Sequence, residues 1–298
     1  MNRRELLTTG AAALTWGLSG FPLGWAAEAS APKRRILMFT RSQGFEHSVV
    51  KRKGDELSLS ETIVTKLGKK NGFEVHCTKD GRVFDENLDK YNAFFFITTG
   101  DLTQPGGDKQ QPMSPKGKEA FLQAIAQGKG LVGSHCASDT FHSRGDRNKN
   151  QEPDQQDPYI RMLGGEFIIH GSQQKARIHV VDHRFPGLKD VKDFERMEEW
   201  YDLKNFAPDL HVLLVQETQG MKGNMYQRPN YPETWARMYE KGRVFFTSMG
   251  HREDVWENPM FQDILLGGIS WALRNVDAEV TPNLQKVTPQ AMELSEKT

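Results

Sequence analysis

The sequence predicts an α/β protein built on a mostly parallel central sheet, with extra antiparallel strands in its second half. In the first half, short and almost wholly apolar segments alternate with segments of helical periodicity. Such apolar strands are typical of a parallel sheet that helices cover on both faces. The second half is richer in strand-like segments, and two of these are joined at Lys241-Gly242, which predicts an antiparallel hairpin.

Four segments of the first half are predicted strands, because each is short, apolar and followed by a polar loop or turn. They cover residues 36–39, 73–78, 93–97 and 130–135. With the helices between them, the order is β-α-β-β-α-β. We therefore expect these strands to run parallel.

The two helices between these strands are predicted from their capping residues. The first has Ser60 as a candidate N-cap and ends at Gly72. The second has Ser114 as its N-cap and Pro115 as its first residue, and it ends at Gly128.

Residues 143–158 form a long polar loop, which is either a solvated surface excursion or a mobile flap beside a functional site. The remaining pattern predicts several strands and a closing amphipathic helix. The strands cover residues 175–182, 194–203 and 211–216 and a hairpin within 233–251, and the helix covers 258–275.

The first 29 residues have the pattern of a cleaved signal peptide: a basic start, a weakly apolar middle and small residues at the end. The arginine pair at positions 3 and 4 resembles a twin-arginine export signal. We therefore predict an exported protein, periplasmic or extracellular. Its parts are a signal peptide (residues 1–29), a folded domain (30–277) and a polar tail (278–298).

The composition narrows the class of partner. Lys and Arg together number 39, and so do Asp and Glu, so the formal net charge is zero and does not favour nucleic acid or an anionic membrane. After the signal peptide, no apolar run approaches the length of a membrane span. The two cysteines, Cys77 and Cys136, are too few for a disulfide framework, and whether they pair stays open, as does the oligomeric state.

Polar side chains follow the predicted strands, at the edge where ligands bind in open α/β sheets. His47, His135 and His251 each come just after an apolar strand. Three imidazoles at one edge suit a divalent transition metal such as zinc, acid–base chemistry, or a purely structural role. The sequence lacks HxH and HExxH spacings, so a metal site would be assembled from distant loops. The other candidates at this edge are Asp139 for catalysis and Thr99, Asp101, Ser138 and Arg252 for substrate binding.

Six segments then occur in an order that resembles the ThuA-like family, which is named for trehalose utilisation. They are FTRSQGFEHS, FFFITTGDLT, GKGLVGSHCASDTF, MLGGEFIIHG, EEWYDL and the long segment from TWARMY to ISWAL. The resemblance covers roughly residues 34–275, and it assigns the predicted domain to this family. It implies a flavodoxin-like three-layer sandwich, similar to the class I glutamine amidotransferase domain.

The amidotransferase relation bears on His135 and Cys136. Those enzymes carry their cysteine nucleophile at the centre of a Gly-x-Cys-x-Gly turn. Here Gly133 and Ala137 flank His135, and Cys136 comes one residue late. The resemblance therefore implies that the protein is not a glutaminase and that Cys136 is a small buried thiol. A cysteine hydrolase remains an alternative, and it requires Cys136 to face the cleft.

The resemblance implies a role in carbohydrate catabolism, with trehalose-like glucosides or their 3-keto derivatives as the small-molecule substrate. The C–H bonds beside a carbonyl are acidic, so a base and an electrophile or metal would support elimination, hydration or isomerisation. The alternative is a non-catalytic protein on the same scaffold that binds a sugar or a partner.

The resemblance also adds residues to the candidate site. The segment EEWYDL makes Glu199 a candidate catalytic carboxylate beside His135, His47 and Asp139, and makes Trp200 a candidate ring for stacking on a sugar. His170 matches a family histidine, and both a site role and a structural role stay open for it.

Overall fold

The computed structural model describes residues 33–296, and the predicted signal peptide lies outside this range. Within it, the chain forms the α/β architecture that the sequence predicts. The strands are β1 (Arg35–Phe39), β2 (Glu74–Thr78), β3 (Ala93–Phe96), β4 (Gly130–Ser134), β5 (Glu166–His170), β6 (Gln174–Val180), β7 (Phe194–Glu198), β8 (Tyr201–Lys204), β9 (His211–Gln216), β10 (Tyr231–Tyr239) and β11 (Gly242–Thr247). The helices are α1 (Leu59–Asn71), α2 (Pro115–Ala126), α3 (Pro158–Leu163), α4 (Glu253–Trp256), α5 (Pro259–Ala272) and α6 (Leu284–Val287).

Among these residues, nine strands make one sheet in the order β2-β1-β3-β4-β11-β10-β9-β6-β7. In this order, the first five strands, from β2 to β11, pair in parallel with their neighbours. The remaining pairs, from β11 onward to β7, are antiparallel. β5 and β8 form a separate antiparallel pair. The predicted parallel half and the added antiparallel strands are therefore both confirmed.

Helices cover both faces of the parallel half, as the aromatic side chains of β3 show. Phe94 and Phe96 contact Phe121 of α2, with ring centroids 5.2 and 4.7 Å apart. Phe95, between them, faces Trp256 of α4 at 6.5 Å. Because alternate residues of a strand point to opposite faces, α2 and α4 lie on opposite sides of the sheet. This is the three-layer arrangement, and it leaves the strand ends free to carry a site.

Two details of the sequence prediction were wrong. The N-cap of α1 is Ser58, not Ser60: the Ser58 hydroxyl accepts from the Glu61 amide, and the Glu61 carboxylate accepts from the Ser58 amide. This capping box satisfies two backbone donors that a cap at Ser60 would leave free.

The predicted strand 194–203 is in fact two strands in different sheets. β7 ends at Glu198 because the Glu198 carboxylate accepts from the next amide, that of Glu199, at 2.9 Å. The indole of Trp200, fully buried, donates to the Gln174 carbonyl at 2.9 Å. The chain therefore turns at Glu199-Trp200 and starts β8 at Tyr201. Because of this break, Glu199 belongs to neither strand.

Residues 278–296 of the predicted polar tail pack against the domain. Leu284 and Ala291 are buried, and the Asn283 side chain accepts from the Val212 amide at 2.6 Å. In the part of the chain described, both cysteines are free. None of the helices within residues 33–296 is both long and apolar enough to cross a membrane.

Candidate functional site

Four separate segments converge at the carboxyl edge of the parallel strands. His47 follows β1, His135 follows β4, His251 follows β11, and Glu199 lies between β7 and β8. One ligand-type atom from each side chain lies within 4.8 Å of all the others. The structure thus brings together the three histidines that the sequence placed at this edge and Glu199, which the family resemblance had made a candidate.

His135 occupies the sharp turn that ends β4, and its backbone is strained. Its φ is +48°, in the left-handed region that only glycine adopts without cost. A strained residue at the end of a buried strand is held there by its surroundings. Nδ1 of the ring lies 2.9 Å from the Ser248 carbonyl oxygen, which can only accept. Nδ1 therefore carries the proton, and the lone pair of Nε2 points into the cluster.

Distances within the cluster are those of groups gathered around one point. His251 Nδ1 lies 3.0 Å and His135 Nε2 3.6 Å from Glu199 Oε2. The ring centroids of the three histidines are 5.0 to 5.2 Å apart, at angles of 76 to 90°. In a tetrahedral zinc site the ligand atoms are roughly 3.3 Å from one another, so small side-chain movements would complete such a site.

Three buried ring nitrogens in the cluster have no hydrogen-bond partner among the described residues: His47 Nδ1, His135 Nε2 and His251 Nδ1. His251 Nδ1 is close to Glu199 but is not aligned to donate to it. Buried polar atoms without partners are uncommon, because each costs about 1–3 kcal/mol of stability. Two of the three face the same carboxylate oxygen, so this donor set fits a divalent transition metal.

The electrostatics keep most of these groups in the forms that bind a metal. Burial, with some help from His135 and His251, lowers the pKa of His47 to about 2, so its imidazole is neutral. Burial opposes the charge of Glu199, but its contacts with His135 and His251 outweigh this and hold its pKa well below the usual range. Burial likewise opposes a charge on His251, whereas Glu199 raises the pKa of that ring overall. A metal at this site would therefore compete with a proton for His251.

Two buried carboxyl groups hold the loops of the site in place. The Glu233 side chain accepts from the Met249 amide at 2.9 Å and from the Ser248 hydroxyl at 2.9 Å. It thereby supports the carbonyl that orients His135. The Glu198 carboxylate accepts from the Gly250 amide at 2.9 Å, and from the amide of Glu199. Such outer contacts fix ligand orientation, and their loss typically lowers metal affinity by about 10–100-fold.

His170, at the end of β5, is the histidine of the site that is most open to solvent. Its side chain is 42 % exposed, and its Nδ1 lies 3.4 Å from Glu199 Oε1. The same nitrogen lies 3.0 Å from the Gly171 carbonyl. Since both neighbours accept, Nδ1 carries the proton and Nε2 presents a lone pair. The ring stacks on Tyr201 with an interplanar angle of 17°, which fixes its direction.

The other predicted residues are placed differently. Asp139 does not join the cluster, since its Oδ1 lies 2.8 Å from His142 Nε2. Thr99 and Ser138 are buried. The Thr99 hydroxyl donates to the Phe45 carbonyl, and the Ser138 hydroxyl donates to the His135 carbonyl.

Trp200 is fully buried, so its ring is not available for stacking on a sugar. The exposed Asp101 accepts from Thr103, and the Arg252 guanidinium pairs with Asp254 and Gln173.

Cys136 lies in the core, 1 % exposed. Burial raises the pKa of its thiol well above the usual value. A nucleophilic cysteine needs the opposite environment, partly exposed and electropositive. The geometry therefore disfavours the cysteine-hydrolase alternative.

His142 offers a pH-dependent test of the loop beside the site. Burial opposes its charge, but hydrogen bonds to Asp139 and Glu166 outweigh burial and raise its pKa to about 9. Because the ordinary value is near 6.5, the stabilisation is complete below about pH 6.5 and is lost as the pH rises through about 9. We expect His142→Gln to lower the free energy of unfolding by about 1–2 kcal/mol at pH 6, since solvent screens part of the interaction. Urea titrations should show the difference shrinking at pH 10, and an equal loss at both pH values would contradict this assignment.

Comparison with known proteins gives a family and a fold. The family model ThuA, described as trehalose utilisation, matches residues 35–272. A solved structure from Bacteroides uniformis ATCC 8492, described as ThuA-like, is 20 % identical with a TM-score of 0.58, covering 85 % of this chain and 95 % of that one. One from Parabacteroides merdae ATCC 43184, also described as ThuA-like, is 17 % identical with a TM-score of 0.57, covering 89 % and 97 %. At these identities the two structures establish the fold alone. No curated protein matches the chain.

Proposed function

Because the chain belongs to the ThuA family of trehalose utilisation, we propose that it is a metal-dependent enzyme of carbohydrate catabolism. Its substrates are trehalose-like glucosides or their 3-keto derivatives. One observation carries the proposal: three histidines and a glutamate from four separate segments converge, and each histidine has a buried ring nitrogen without a hydrogen-bond partner among the described residues. The cost of burying such atoms unpaired is understandable if they bind an ion.

In this proposal His47, His135 and His251 hold the metal, and Glu199 completes the set. A divalent metal such as zinc supplies Lewis acidity there, which makes the C–H bonds beside a substrate carbonyl more acidic. The Ser248 carbonyl keeps His135 in the tautomer with a free Nε2. The two carboxylate oxygens of Glu199 face different histidines. Oε2 faces His135 and His251, and Oε1 faces His170.

His170 moves the proton. With Nδ1 protonated, its Nε2 accepts the proton from carbon 2 of a 3-keto-glucoside, and Glu199 Oε1 stabilises the resulting imidazolium. The electron pair left at carbon 2 is conjugated with the carbonyl. Either it then expels the glycosidic oxygen from carbon 1, which leaves with the proton returned by His170 as a C1–C2 double bond forms, or the enediol takes up that proton at carbon 3 while the hydroxyl group on carbon 2 becomes the carbonyl. The first outcome is β-elimination, and the second is isomerisation.

We also place this enzyme outside the cytoplasm. The support is the arginine pair at positions 3 and 4 and the small residues at 27–29, which have the pattern of a twin-arginine signal. Fusing residues 1–35 to a reporter that is active only after export would test this, with both arginines changed to lysine as the control.

The test of the function combines metal analysis with isotope exchange. We expect purified protein to contain about one transition metal per chain, and to exchange deuterium from solvent into 3-keto-trehalose beside the carbonyl. Removing the metal with a chelator should abolish the exchange, and adding zinc should restore it. Metal-free protein that still catalyses the exchange would refute the metal's role. Metal-loaded protein that binds the sugar without exchange would instead support the non-catalytic binding protein.

A further inference from the structure

We propose that Phe45 is a stacking platform for the second pyranose ring of a disaccharide, next to the ring that reacts. This inference rests on the proposed function and names the substrate class of the same site: a two-ring glucoside of the trehalose type.

Phe45 is exposed beside the histidine cluster. The residue is 70 % exposed, the highest value among the large exposed hydrophobic residues of the described chain. Its ring packs edge to face on His47, with centroids 5.0 Å apart at 89°. His47 itself is only 3 % exposed, and the phenyl ring is one of the groups packed against its imidazole. We therefore expect a sugar bound at the cluster to lie near this ring.

Contacts on both sides of Phe45 fix the backbone of the loop that carries it. Thr99 donates from its hydroxyl to the Phe45 carbonyl at 3.0 Å, and the Gln43 amide donates to the Thr99 carbonyl at 3.0 Å. Glu46 pairs with the nearly buried Lys79 at 3.0 Å. A mobile loop could fold an apolar ring inward, whereas a fixed backbone limits how far this ring can move. Exposed aromatic surface held rigidly beside a site is typical of a recognition surface, because a rigid ring binds with little loss of conformational entropy.

The chemistry of the occupant follows from the two surfaces. The reacting ring needs polar groups and the metal, and these lie where Glu199 and His251 reach the surface, with side chains 12 % and 18 % exposed. Phe45 lacks polar atoms on its side chain and cannot bind hydroxyl groups. It suits the apolar C–H face of a pyranose, which is the part of a sugar that aromatic rings contact. The reacting ring is held through its polar groups, so we assign the apolar surface of Phe45 to the neighbouring ring of the disaccharide.

Binding by calorimetry tests the inference without depending on turnover. Trehalose and methyl α-glucoside are titrated into wild-type protein, Phe45→Ala and Phe45→Trp. We expect Phe45→Ala to weaken trehalose binding about tenfold and to affect the one-ring glucoside much less, since only the disaccharide reaches the platform. Phe45→Trp should keep the affinity. Leu57→Ala, which also removes an exposed apolar side chain, should behave as wild type.

Equal weakening for both sugars would overturn the inference, because Phe45 would then act through His47 and the metal. Unchanged trehalose binding in Phe45→Ala would overturn it too, as would the absence of trehalose binding to the wild-type protein. Failure of the proposed function is seen separately, as a lack of deuterium exchange in wild-type protein that nevertheless binds the disaccharide through Phe45.

Discussion

Replacing His135 with alanine should weaken metal binding and slow deuterium exchange into the keto-sugar. The ring contributes the Nε2 lone pair, which is buried, points into the cluster and has no partner among the described residues. A four-ligand zinc site binds with roughly 10–16 kcal/mol, so one ligand carries about a quarter of this. We expect metal affinity to fall by about 10²–10³-fold, measured by competition with a chromophoric chelator. The rate of exchange at limiting metal should fall in proportion.

The control for this variant is His211→Ala. His211 is 4 % exposed, against 0 % for His135, and it likewise donates to a backbone carbonyl, that of Thr281. It lies outside the cluster, so its removal should cost stability while the metal content stays unchanged. Loss of metal in both variants would mean that general destabilisation, rather than a missing ligand, explains the first result. Retention of full metal affinity in His135→Ala would refute the site.

The parallel half of the fold could be predicted because each of its strands carries its own signal. An apolar run followed by a polar loop marks β1, β3 and β4, and the cap at Ser114 marks α2. Those local signals also placed His47, His135 and His251 at one edge, since parallel strands end on the same side of a sheet. The sequence therefore predicts the three histidines of the cluster at one edge of the sheet.

What the sequence could not show depends on contacts between distant segments. The break between β7 and β8 arises from the Glu198 carboxylate and the buried Trp200, and neither leaves a trace in hydrophobic periodicity. The role of Glu233 is also hard to predict, because a glutamate in an alternating strand ordinarily faces solvent. Here Glu233 is buried, and that burial raises the pKa of its carboxyl group. Four hydrogen-bond donors contact the carboxyl group and oppose this rise only in part. A charged residue at an inward position of a strand is the signal that could have found it.

The largest expected effect on stability is that of Arg228→Met. The guanidinium is buried, donates to Asp202 Oδ1 at 2.5 Å and to the Leu203 carbonyl at 2.7 Å, and also reaches the Ala291 carbonyl. It thus joins β8, which follows Glu199, to residue 291 near the end of the described chain. Removing it leaves the Asp202 carboxylate buried without a cation. Breaking such a pair typically costs about 3–5 kcal/mol, and we expect this loss in guanidinium titrations at pH 8.

The cost should depend on pH, because Asp202 can escape its unpaired charge by binding a proton. Burial already raises the pKa of Asp202 to about 6 against the opposing effect of Arg228, and loss of Arg228 raises it further. A folded pKa above the unfolded value of about 3.9 means that stability is lost as the pH rises through the folded pKa. The variant should therefore be closer to wild type at pH 5 than at pH 8. The double variant Arg228→Met/Asp202→Leu removes both charges and should recover most of the loss at pH 8. A double variant as unstable as the single one would show that lost packing, not the stranded charge, dominates the effect.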